Sequence, residues 1–254
     1  MNPITSAQPD TLPRIADVGF GGMLVTFSDA LTDAANSAAL AFRAELEANR
    51  PVGLTETSTS LTSTFIAFDP HTLARETLRA QLIDLLGRRD WFAASLPEGR
   101  KLWTIPSVFG GDTFGPQLGE AAQLAGVSPD TAIAQLCETP LRVMTLGFAP
   151  GQPYLGSLPE NWDLPRQTGL TKSVPIGAIT VAIRQIVLFS ASTPTGWRQV
   201  GQCAFHAFRP HHYAPFALTP GDEIRFVPIS EADFLRIHER NDSGDGGATW
   251  EAIS

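Results

Sequence analysis

The sequence predicts two folded parts in series, an α+β N-terminal domain followed by a mainly-β barrel. Three observations carry this expectation. Helical periodicity alternates with strand-like runs as far as Gly87, Pro and Gly without periodicity occupy Trp91 to Arg100, and from Leu141 onward short apolar runs are punctuated by Gly, Pro and polar turns. The implied divisions are 1–95 for the α+β domain, 96–240 for the barrel, and 241–254 for a mobile tail rich in Gly and acidic residues.

Arg14 to Phe20 and Met23 to Phe27 read as two strands around Gly21-Gly22. Ala35, Ala39, Phe42 and Leu46 then fall at helical spacing, with Thr32 placed to cap the helix and Arg50-Pro51 to stop it. Val52 to Thr57 and Ser60 to Phe68 are rich in β-formers. Asp69-Pro70 offers a cap and a first-turn proline to a second helix, whose buried stripe is Leu78, Leu82 and Leu85 and whose end is Gly87. Two helices among about four strands fit a ferredoxin-like or split βαβ sandwich.

The second part opens with a strand at Leu102 to Pro106, a turn at Val108 to Asp112, and two short helices, Gln117 to Leu124 and Pro129 to Leu136, the latter capped by Ser128. Strands follow at Arg142 to Leu146, Ala178 to Arg184, Ile186 to Phe189 and Glu223 to Val227, and a last helix at Ser230 to Arg240. Closing so many short strands into a barrel removes their exposed edges.

Composition narrows the function classes. A net charge of -8 over 254 residues, without a Lys/Arg cluster, is the opposite of a nucleic-acid surface. No run reaches the roughly 20 apolar residues of a membrane helix, and Met1 to Ser6 lacks a secretion signal, so a cytoplasmic location is the default expectation. Cys137 and Cys203 stand apart without metal-ligand spacing and read as buried small residues. His206, His211 and His212 are broken by Arg209-Pro210 and lack a nearby carboxylate, so no metal site is expected. No phosphate-binding Gly-Lys-Ser/Thr loop and no biotin-attachment segment is present.

Gly147-Phe148-Ala149-Pro150-Gly151-Gln152-Pro153-Tyr154-Leu155-Gly156 is the segment that points to function. Alternating Gly and Pro freezes one loop conformation, which serves either a rigid turn between strands or a pre-organised binding loop. Lysine is rare, with Lys101 and Lys172 against sixteen arginines, and Lys172 lies shortly after that loop.

Taken together, the early strand-Gly-strand segment, Phe68-Asp69-Pro70, Ile105-Pro106-Ser107-Val108-Phe109-Gly110-Gly111, the loop at 147–156, Leu164-Pro165-Arg166, the Val174-Pro175-Ile176-Gly177 step, Pro194-Thr195-Gly196-Trp197, Val200-Gly201 and Pro220-Gly221-Asp222 resemble one family. It comprises the B subunit of 5-oxoprolinase, the sporulation kinase inhibitor KipI, and the carboxyltransferase C and D subdomains of urea carboxylase, also described as allophanate hydrolase subunit 1. The resemblance implies a cyclophilin-like barrel for the second domain. It also implies a companion C-type homologue of the allophanate hydrolase subunit 2 family, with a further ATP-using component, the A subunit, in the 5-oxoprolinase assembly. The chain departs from the family pattern at Leu136 and Leu141, where His and Tyr are usual. It departs again at Gln152 in place of Phe, at Thr171-Lys172 in place of Pro-Arg, at Thr195 in place of Gly, and at Gln202-Cys203-Ala204 in place of Arg-Thr-Pro. A mechanism resting on that His cannot operate here.

What the resemblance implies is one subunit of a hydrolase that opens a small cyclic amide, with ATP consumed by a partner, no cofactor held by this chain, and little activity alone. The alternatives are a carboxyltransferase subunit of a urea carboxylase-like enzyme and a KipI-like kinase-inhibitory protein. Opening an amide builds negative charge on oxygen, which fixed donors stabilise. Arg166 and Lys172 are therefore the expected catalytic cations, while Gly147, Gly151, Gln152, Tyr154, Thr195 and Trp197 are the expected substrate-binding residues. Alone, Arg166 would read as a solvated ion pair, Tyr154 as packing, and Trp197 as either a flat wall or a core side chain.

Overall fold

The computed structural model describes residues 12–138 and 140–253, so the first eleven residues, including the Met1 to Ser6 segment, lie outside the described residues. The chain divides between Pro97 and Glu98 into two compact units.

In the first unit, β1 (Arg14–Val18) and β2 (Gly22–Thr26) form an antiparallel hairpin. Next come α1 (Asp33–Ala48), β3 (Leu54–Ser60), β4 (Ser63–Phe68) and α2 (Arg75–Gly87). The sheet order is β1-β2-β4-β3, antiparallel throughout. Strands β2 and β3 therefore run parallel, are joined through α1, and flank β4, which is the expected split βαβ unit. The fourth strand comes from β1, ahead of the unit in sequence. The spatial order is that of a ferredoxin-like sheet, reached by a permuted chain.

Physical causes are visible element by element. Thr32 Oγ1 accepts the Ala35 N–H at 3.1 Å and caps α1, whose Ala35, Ala39, Phe42 and Leu46 are buried. Phe42 meets Phe27 and Trp91 edge to face at 5.6 and 5.1 Å in this unit's core. Two expectations are corrected. Asp69 caps an isolated turn, accepting from His71 N and Thr72 Oγ1, and α2 starts later behind Ala74, which provides no side-chain cap. The β3–β4 link is a two-residue turn at Leu61-Thr62 in which Leu61 takes φ 53°, a conformation its sequence does not advertise. Asn36 Nδ2 holds that turn by donating to the Leu61 carbonyl at 2.7 Å.

The second unit contains β5 (Arg100–Phe109), α3 (Gly111–Phe114), α4 (Leu118–Leu124), α5 (Pro129–Glu138), β6 (Leu141–Leu146), β7 (Pro153–Gly156), β8 (Thr171–Val174), β9 (Ala178–Ala182), β10 (Gln185–Leu188), β11 (Thr193–Thr195), β12 (Arg198–Cys203), β13 (Glu223–Pro228), α6 (Glu231–Glu239) and β14 (Thr249–Ile253). Strands β12-β9-β10-β7-β6-β13-β5 pair in that order, and β12 pairs again with β5, closing a seven-strand barrel. All its pairings are antiparallel except β13 with β5. Closure explains why β5 is longer than expected. Its first half pairs with β14 and its last residues, Ser107 to Phe109, pair with β12.

The barrel interior is filled by Ile105, Val143, Leu155, Ile179, Val181, Ile186, Leu188, Val200, Ile224 and Phe226, with Leu118, Ala121, Ala132 and Leu136 of α4 and α5 joining the same core. Leu136, where the resembling family usually has His, is 1% exposed and acts as core. Of the segment 241–254, expected as a mobile tail, the described residues 241–253 are instead tied to the barrel. Thr249 to Ile253 pair with β5, and Trp250 lies 6.4 Å from Trp103 with the Lys101 ammonium 4.5 Å above its ring.

Candidate functional site

Strand alternation creates the site. Along β10, Ile186 and Leu188 point into the barrel while Val187 points out, and Phe189 just beyond shares that outer side. The outer face is itself buried, by a cluster of Val174, Ala178, Ala182, Val187, Phe189 and Trp197 with Tyr154 packed against it. Strands β8 and β11 pair with each other outside the barrel sheet, and Val174 and Thr195 from them are buried. A cavity of about 260 Å³ opens here, lined by residues that include Gln152, Tyr154, Arg166, Thr195 and Trp197. Five of the eight side chains and backbone positions expected from sequence thus share one cavity, although they come from three separate segments.

The loop before β7 delivers Gln152 and Tyr154. Gly147 N–H donates to Gln152 O at 3.0 Å, Ala149 N–H to Gly147 O at 2.9 Å and Gln152 N–H to Ala149 O at 3.1 Å. The loop is stiff because it binds itself, and those amides are no longer available to a ligand. Gly147 and Gly151 accordingly shape the loop and do not line the cavity. Gly151 has φ 67°, and a Cβ there would sit 3.0 Å from Ala207 O and 3.2 Å from Phe208 Cβ. Lys172 is exposed on β8 outside the lining residues, so Arg166 supplies the positive charge of the cavity.

Arg166 places its guanidinium carbon 5.5 Å from the centre of the Trp197 ring, and among the described residues no carboxylate lies within ion-pair range of it. Its neighbour Arg198 behaves differently, pairing with Glu120 at 2.9 Å and donating to Pro165 O. Trp197 is 3% exposed and meets Tyr154 edge to face at 6.0 Å, so it is both a core side chain and a cavity wall. Thr195 Oγ1 accepts the Trp197 N–H at 3.0 Å, which fixes the turn and leaves the hydroxyl proton to be donated elsewhere.

Sequence reasoning missed the glutamines that hold this wall. Gln167 lines the cavity, its N–H donates to Gly196 O at 2.8 Å, and its Nε2 donates to Trp197 O at 3.0 Å. Gln117 donates to Gln167 Oε1 at 2.6 Å and accepts the Gln199 N–H at 2.8 Å. These bonds bind the segment carrying Arg166 to β12. Adjacency of Gln167 to Arg166 was the available signal, but its partner lies fifty positions away.

Other titratable groups are placed away from this chemistry. Among the described residues no group of three His, Cys, Asp or Glu side chains is arranged to hold a metal ion. His206, His211 and His212 line a separate cavity with Arg209, and burial, with the Arg209 charge, lowers the His206 pKa. Burial pushes the thiols of Cys137 and Cys203 up to about 12, which makes both inert as nucleophiles. No helix among the described residues is long and apolar enough to cross a membrane.

A closed seven-strand barrel preceded by a split βαβ unit matches a known domain pair. The model of the carboxyltransferase domain, subdomain C and D, matches residues 13–218, and the chain belongs to that family. Among its relatives, the 5-oxoprolinase B subunit of Bacillus subtilis (strain 168) is 28% identical over 238 residues, covering 90% of this chain and 98% of that protein. The 5-oxoprolinase B subunit of Escherichia coli O157:H7 is 36% identical over 159 residues, covering 61% of this chain and 71% of that one. The crystal structure of TTHA0988 superposes with a TM-score of 0.69 at 29% identity over 82% of this chain, which spans only 40% of that longer chain. The Kluyveromyces lactis urea carboxylase shares the fold, with a TM-score of 0.71 at 17% identity over 94% of this chain and 24% of its own.

Proposed function

We propose that this protein is the B-type subunit of a heteromeric 5-oxoprolinase, contributing the binding site for a small cyclic amide while a companion subunit consumes ATP. The observation that carries this reading is the shared cavity, in which an unpaired guanidinium, a carboxamide and two aromatic walls converge from segments distant in sequence. Its volume of about 260 Å³ suits a five-membered ring acid. Arg166 holds the substrate's carboxylate, the Trp197 and Tyr154 rings flank its ring, and the Thr195 hydroxyl donates to a substrate oxygen. The relatives named as B subunits of 5-oxoprolinase support the choice of reaction.

The relatives are named as one subunit of a larger enzyme, which supports a partner completing the chemistry at this cavity. Phe148, 77% exposed, and Leu170, 71% exposed, form apolar parts of the cavity rim and suit such a partner. Cytoplasmic residence accords with an ATP-consuming assembly. The test is to purify the chain with its companion subunits and measure 5-oxoproline-dependent ATP hydrolysis. Turnover that requires this chain is expected. A stable complex with no turnover on 5-oxoproline would overturn the reading and point to regulation or another substrate.

A further inference from the structure

Gln152 is buried to 1% exposure, faces the cavity, and has an Oε1 with no hydrogen-bond partner among the described residues. An unsatisfied buried polar atom is costly, and in native proteins such atoms are few. The bonds that fold the loop join the backbones of Gly147, Ala149 and Gln152, so the turn does not use this carboxamide. A leucine would fill the same space without an unmet oxygen.

A primary carboxamide presents an acceptor and a donor side by side in one plane. Its geometric complement is an amide whose C=O and N–H point the same way, which is the cis form. Open-chain secondary amides reach that form only at a cost of about 2.5–4 kcal/mol. A small lactam ring is held in it. Two parallel hydrogen bonds then close between carboxamide and lactam, and exchanging the oxygen and nitrogen of Gln152 merely turns the lactam over.

We propose that Gln152 is a specificity-determining residue that reads the cis amide of a small lactam edge to edge, while Arg166 in the same cavity takes its acidic substituent. The inference rests on the cyclic-amide reading above and adds which side chain recognises the amide. A lactone, with ring oxygen in place of N–H, loses one of the two bonds and sets an oxygen lone pair against the carboxamide acceptor.

Isothermal titration of the full-length chain provides the test, using 5-oxoproline, its lactone analogue, its N-methyl derivative, and 2-pyrrolidinone. Wild type is expected to bind 5-oxoproline at least about tenfold more tightly than the lactone or the N-methyl lactam, and Gln152→Leu to abolish that preference by lowering lactam affinity more than lactone affinity. Equal binding of lactam and lactone by wild type, both lost in Arg166→Ala, overturns the role of Gln152 and leaves the site reading standing. Binding of 2-pyrrolidinone but not of 5-oxoproline, abolished in Gln152→Leu, upholds Gln152 and overturns 5-oxoproline as the substrate. Failure of wild type to bind any of the four overturns both. Should Gln152→Leu not fold, the wild-type ranking of lactam against lactone and N-methyl lactam decides alone.

Discussion

Arg166 and Lys172 illustrate how identical charge acquires different meaning from position. Arg166 lies over the Trp197 ring in the cavity, whereas Lys172 is exposed on β8 beyond it. A charge-assisted hydrogen bond to a carboxylate is worth about 1.5–3 kcal/mol, so Arg166→Ala is expected to lower kcat/KM of the assembled enzyme roughly 10- to 100-fold. Lys172→Ala is expected to leave it within about twofold. Steady-state kinetics on the two variants checks both. A different arginine cluster contributes modestly to stability. The Arg75 guanidinium hydrogen-bonds Asp17 at 2.7 Å, and with Arg79 at the same distance it holds the Asp17 carboxyl below its ordinary pKa. A depressed carboxylate contributes stability above its unfolded pKa and loses it as pH falls through the folded value. Asp17→Asn should therefore be less stable than wild type at neutral pH, with the gap closing in acid. Parallel denaturant melts at pH 7 and below pH 3 measure it.

At the scale of elements, buried contacts account for what the strand pattern conceals. Strands β9 and β10 are buried on both faces, so their sequences lack the apolar/polar alternation that would show which face holds the site. Only the division of Val187 and Ile186 between two clusters reveals that the cavity lies outside the barrel. The β8 to β9 step makes the tightest demand. Gly177 has φ 80°, and a Cβ there would lie 2.0 Å from Cys203 O, across the bond from Cys203 N–H to Gly177 O. Gly177→Ala is expected to destabilise the barrel unit by about 3 kcal/mol, because it combines a left-handed backbone with a backbone clash. Thermal unfolding of the variant should show a lowered transition for that unit. An unchanged Tm would mean that β9 and β12 approach less closely than described.

Among the described residues the largest core on each side of the Pro97–Glu98 division shares no residue with the other. Each is large enough for independent folding. A fragment of residues 98–254 is therefore expected to fold cooperatively and to retain ligand binding in the cavity, since all residues lining it belong to that unit. Circular dichroism and titration of the fragment test this. Shortening it before Thr249 should lower its Tm, because β14 covers the N-terminal half of β5 and brings Trp250 against Trp103 and the Lys101 ammonium. The apparent tail looked dispensable in sequence because its Gly and Asp residues form turns. Asn241 Oδ1 accepts Gly246 N–H and Asp245 accepts Gly247 N–H, turning the chain back toward β5.

Local interactions are legible in the sequence by itself. Thr32 and Ser230 cap helices through hydroxyls that accept N–H groups three residues ahead, and the helical stripes of α1 and α2 follow from spacing alone. The Gly/Pro loop is readable as stiff for the same reason, since φ limits act residue by residue. Long-range pairing decided the rest. Barrel closure through β5 and β12, the addition of β14, the choice of Arg166 over Lys172 and the glutamine bonds behind Trp197 all join residues far apart in sequence. Such contacts depend on which surfaces meet once loop entropy has been overcome, and a one-dimensional pattern of residues carries no measure of that distance.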